Sequence, residues 1–128
     1  MRSRIAAGVV LVFALLATAL VGQAATTKHW AILNFADPVF VADTFVLGPV
    51  LIVHDDAKMA RGEPCTTLYR FAPGKGPGEA LASFHCRPVQ REIAKETVVT
   101  VTSLTEGCRR LVEYQIAGDT EAHRVPDK

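Results

Sequence analysis

The segment VHDDAKMARGEPC, followed about twenty residues later by FHC, gathers His54, Met59, Cys65, His85 and Cys86 into one stretch of chain. Imidazole, thiolate and thioether together suit copper, and zinc accepts histidine and cysteine beside a carboxylate. His54, Met59, His85 and the two cysteines are therefore candidate ligands, with His123 as an extra one. Their spacing supports this weakly. The chain has no C-x-x-C pair, no H-x-x-x-H pair and no C-x-x-C-H for covalent haem. His85 precedes Cys86, and no methionine or histidine follows before His123, so the order of a blue-copper site is absent.

The competing reading is a Cys65–Cys86 disulfide with ordinary neighbours, which leaves Cys108 as a free or intermolecular thiol. Pairing of Cys108 with either of the others is the alternative, because three cysteines cannot all pair within one chain. A third reading pairs a cysteine nucleophile with a histidine base. Adjacent residues on a strand point to opposite faces, so His85 cannot serve Cys86 in that role. Asp43, Asp55 and Asp56 could form a carboxylate pair, but turn and cap roles suffice for them. His54 ends an apolar run and precedes two aspartates, which favour its charged form.

The N-terminus decides how the cysteines are read. Arg2 and Arg4 precede an apolar run from Ile5 to Val21, and Gly22-Gln23-Ala24 offers a small-residue cleavage site. This is the layout of a secretory signal peptide over residues 1–24, an uncleaved anchor being the alternative. Residues 25–128 then form a single exported domain, in a compartment where disulfides persist. Without Arg2 and Arg4 the chain carries 12 basic and 13 acidic residues, which disfavours nucleic-acid binding. No second run is apolar enough to cross a membrane once the signal is removed.

The elements that must position these residues read as strands. HWAILNF, VFVAD, TFVLGPVLIVHD, CTTLYRF, EALASFHCR, ETVVTVTSL and RRLVEYQIAG are short β-rich runs separated by turn signals. They predict an all-β fold: a small antiparallel sandwich of six or seven strands with one short helix after His54. Asp55 or Asp56 would cap that helix, Gly62 would end it, and Met59 would pack against the sheet. The loop APGKGPGE predicts a hairpin centred between Lys75 and Gly76. Tyr69 then faces Ala82, Thr67 faces Phe84 and Cys65 faces Cys86, while His85 turns outward. TEGC marks a second hairpin, and the tail DTEAHRVPDK reads as loose and polar.

The run LGPVLIVHDDAKMARGEPCTTLYRF followed by SFHC resembles a group of short secreted bacterial proteins of unknown function that share a VHD…M…GEPCT…FHC segment. The resemblance covers residues 28 to about 117. It implies a small exported β-sandwich and transfers no catalytic or binding residue. These features together predict a secreted or periplasmic, non-enzymatic binding or structural module of the envelope. The alternative is a metal-binding protein, copper before zinc, although no cofactor is required. The partner would be an unknown protein or small ligand, or a second copy in a homo-oligomer.

Overall fold

The computed structural model describes residues 28–105 and 107–127, so the expected signal segment lies outside the described residues. Within these residues eight strands and one short helix succeed one another: β1 (Lys28–Val41), β2 (Thr44–Asp55), α1 (Asp56–Ala60), β3 (Thr66–Ala72), β4 (Gly76–Phe84), β5 (Arg87–Gln90), β6 (Val98–Thr105), β7 (Cys108–Gln115) and β8 (Glu121–Arg124). The fold is all-β. All eight strands belong to one hydrogen-bonded sheet in the order β4-β3-β2-β1-β7-β8-β5, with β6 on β7 off this path.

HWAILNF and VFVAD, expected as separate runs, form one strand, and TFVLGPVLIVHD runs unbroken. Asp37-Pro38 lies inside β1 and Gly48-Pro49 lies inside β2. Proline cannot donate to the ladder, so β1 absorbs Pro38 in a register shift between Phe35 and Val39. Beyond that shift, Val39 and Phe40 pair in parallel with Arg109 and Arg110 of β7. The sheet is therefore antiparallel except at this junction.

The side chains show how the sheet folds. Alternation directs Val46, Val50, Ile52 and His54 of β2 inward, with Ala31 and Phe35 of β1 beside them. Thr66 of β3 shares a buried hydroxyl hydrogen bond with Tyr114 of β7. His54 of β2 stacks on His123 of β8. Neither pair is adjacent in the strand order, so β2–β3 must face β7–β8 across the core. The two layers expected of a sandwich arise here from one sheet folded at β1–β7. Leu68, Phe84, Leu111 and Ile116 fill the space between the layers.

The β3–β4 hairpin departs from the expected register. Thr66 pairs with Phe84, Leu68 with Ala82 and Tyr69 with Ala80, and the ladder shifts on both sides of Tyr69. The inward residues are consequently Thr66, Leu68 and Phe84, whereas Tyr69 and Phe71 lie on the outer face. The turn centres on Gly74, at positive φ, rather than between Lys75 and Gly76, and the two shifts beside Tyr69 move the ladder again. The tail is also not loose. β8 pairs with β5 and β7, and Ala122, His123 and Val125 are buried. Its apolar positions are too few, and too closely flanked by charge, to announce a strand.

A histidine–carboxylate cluster over the disulfide

Local chemistry builds the first wall of the cluster. Asp55 caps α1, its Oδ1 accepting from the N–H groups of Ala57 at 3.0 Å and Lys58 at 3.2 Å. These bonds hold the Asp55 carboxyl below its ordinary pKa although its desolvation opposes them. The Asp55 N–H donates to the Cys65 carbonyl at 2.9 Å, which closes the excursion through α1 and Gly62. Cys65 is thereby set beside the end of β2, where His54 points inward.

Cys65 and Cys86 are joined as a disulfide, with Cα atoms 6.3 Å apart. The pair forms despite the shifted hairpin register because both residues lie just outside the ladder, Cys65 before β3 and Cys86 after β4. Cys108 is free and half-buried at the start of β7. His85 is exposed, as its place next to Cys86 predicts, and borders a separate groove with Arg87 and Arg124. Met59 is half-buried on α1, which buries no residue fully, and it takes no part in the contacts below.

Three histidines converge above the disulfide. The His54 and His123 rings stack at 3.8 Å with 20° between their planes. His54 is fully buried and His123 is 2% exposed. His123 Nδ1 lies 3.6 Å from Cys86 Sγ, and its Nε2 lies 3.8 Å from a Glu121 oxygen. His54 Nδ1 lies 3.1 Å from Asp56 Oδ1, but the two are not aligned for a hydrogen bond, and among the described residues neither ring nitrogen of His54 has a partner. His29 sits between two carboxylates: its Nε2 is 3.0 Å from Asp56 and its Nδ1 3.0 Å from Asp119. His29, Asp56, Asp119, Glu121 and His123 border a cleft of about 190 Å³.

Burial and charge divide these histidines. Burial pushes the His123 pKa down to about 4, and the neighbouring His54 pushes it the same way. Burial also lowers that of His54, outweighing the attraction of Asp56. The expectation that an adjacent aspartate favours the charged form of His54 is therefore corrected: desolvation wins. For His29 burial opposes charge too, but the hydrogen bond to Asp56 and the charge of Asp119 prevail and raise it. Burial, with Asp56 and Asp119 nearby, raises Glu121. The arrangement sets a His29 whose charged form two carboxylates favour beside a stacked histidine pair whose charged form burial disfavours.

Of the candidate ligands, the fold brings together His54, His123, Cys65 and Cys86, and it leaves His85 outside. It adds His29, Asp119 and Glu121, which sequence reasoning missed. The pairing of His29 directly opposite His54 follows from the β1–β2 register. Recognising it would have required reading Ala42-Asp43 as the hairpin turn, and Ala42 gives little sign of its positive φ of 55°.

A second region differs in kind. All eight side chains of β6 are exposed, and among the described residues the strand pairs only with β7. Val98, Val99, Val101 and Leu104 are among the exposed large apolar residues. Val99 and Val101 border a shallow groove of about 220 Å³ with Arg109 and the β1 bulge around Asp37. No family model, curated protein or solved structure matches the chain.

Proposed function

We propose that the protein is a small exported module of the cell envelope that works by binding, and that β6 is its binding edge. One observation carries this reading. VVTVTSLT is a strand of eight residues with no charge and no proline, exposed on both faces and, among the described residues, unpaired along one edge. Edges of this kind are ordinarily blunted by lysine, proline or a covering element, because their free N–H and C=O groups template further pairing. An edge left open fits strand addition, in which backbone hydrogen bonds supply affinity. The apolar N-terminal run and the disulfide support export.

The occupant is a second copy of the chain. Two β6 strands related by a two-fold axis pair antiparallel, and an uncharged strand meets its own copy without like-charge repulsion. Light scattering coupled to size exclusion tests this on residues 25–128. The expected result is a dimer at about 100 µM that becomes a monomer in the Thr100→Lys, Thr102→Lys double variant. A wild-type protein that stays monomeric at that concentration overturns the reading, as does a double variant that remains dimeric.

A further inference from the structure

The histidine cluster contains an unusual group. His54 is completely buried, and both its ring nitrogens lack a hydrogen-bond partner among the described residues. Buried polar groups are nearly always paired, so this one calls for an explanation. One ring nitrogen of His54 and the sulfurs of Cys65 and Cys86 all lie within 4.8 Å of one another. His123 Nδ1 approaches the Cys86 sulfur from beside it.

The carboxylates complete the pattern. Metal-bound histidines typically present their second nitrogen to a carboxylate or carbonyl, which fixes the ring and raises its basicity. Asp56 stands 3.1 Å from Nδ1 of His54, and Glu121 stands 3.8 Å from Nε2 of His123. Each buried histidine thus has a carboxylate near one nitrogen and the other left to ligate.

We infer that reduction of the Cys65–Cys86 disulfide creates a zinc(II) site, with both thiolates and His54 as ligands and His123 as the fourth. The site goes beyond the β6 edge and is independent of it. Two cysteines and two histidines form a closed tetrahedral zinc set. In the oxidised form the sulfurs are bonded to each other and supply no thiolate, so the disulfide is the lock.

The reductant is a dithiol. Its thiolate attacks the Cys86 sulfur, the more exposed of the two, and Cys65 leaves. The second thiol of the reductant resolves the mixed disulfide. The reductant ends as a disulfide, and Cys65 and Cys86 end as thiols after gaining two electrons and two protons. Zinc binding then displaces the two thiol protons to solvent. The stacked rings require His123 to tilt away from His54 as it joins the ion.

Cobalt(II) reports this site directly, since tetrahedral thiolate ligation has strong charge-transfer and d–d absorption. The test uses residues 25–128 carrying Cys108→Ser, reduced under anaerobic conditions and freed of the reductant. One equivalent of cobalt(II) should produce those bands in the reduced protein, zinc(II) should abolish them, and the oxidised protein should give none. Asp56→Asn should weaken cobalt binding about 10-fold while leaving the fold unchanged by circular dichroism. His54→Gln should lose the site, and where that variant fails to fold, the oxidised–reduced contrast stands by itself. Absence of the bands in the reduced protein overturns the inference. So do equal bands in the oxidised protein, or a reduced chain that stays unfolded in zinc.

Discussion

The histidine cluster and β6 break opposite rules. One buries two stacked imidazoles where apolar groups would pack, beside a half-buried imidazole and three partly exposed carboxylates. The other places valine and leucine in water on both faces of a strand. Stability accounts for neither, because buried polar groups need partners and exposed apolar groups gain nothing from burial. Between them lies an ordinary core of Val46, Val50, Ile52, Leu68 and Leu111. Departures from local consistency concentrate at sites where something other than folding is served. The contrast separates scaffold from site more sharply than either region does alone.

The largest effect should come from the scaffold. Leu68→Ala removes a fully buried side chain and should lower stability by about 2–5 kcal/mol in urea unfolding. A loss below about 1 kcal/mol would mean that the facing layers are not packed together.

Acid should act on the cluster next. His54 and His123 have lowered pKa values in the fold, so the unfolded chain takes up protons first as pH falls below 6.5. Their contribution is complete above 6.5 and is lost as pH drops toward the folded values. His123, at about 4, accounts for a loss of about 3 kcal/mol over that range. His29 acts oppositely: its raised pKa adds stability below 6.5 that fades as pH rises through the folded value. Urea unfolding should therefore show declining stability from pH 6.5 to 5. A flat or rising profile would mean that the two buried histidines are charged or hydrated.

The smallest effect should fall on β6. Leu104→Ala, at 41% exposure, should change the stability of the dilute, monomeric chain by less than about 0.5 kcal/mol. Were it to cost as much as Leu68→Ala, β6 would be covered in solution by more than β7.

Much of the scaffold was legible because its signals are local. Strand-length runs of β-branched residues announced the all-β class, and the prolines and glycines of residues 73–78 announced the hairpin that brings the cysteines together. Asp55 and Gly62 mark the ends of α1 as their chemistry dictates. The register of that hairpin was not legible, since a shift beside Tyr69 leaves no residue signature. Nor was β8, a four-residue strand that exists only because β5 and β7 flank it. The cluster was half-visible for the same reason. His54 and His123 could be named as chemically interesting, but their stacking depends on two layers meeting, and that is a tertiary fact.

The junction at which the sheet turns over also has a consequence in time. Each of β1 to β4 pairs with its neighbour in sequence, β2 with β3 across the short α1 excursion, whereas the halves of the sheet meet in parallel only at Val39–Arg109 and Phe40–Arg110, seventy residues apart in the chain. Closing so long a loop is slow, and pairing between sequence neighbours is fast. The first four strands are therefore expected to form before β7 and β8 cover them, leaving the inward face of β2 in water meanwhile. In pulse-labelling exchange the amides of β2 and β3 should be protected before those of β7 and β8. Simultaneous protection would show that the chain closes in one step.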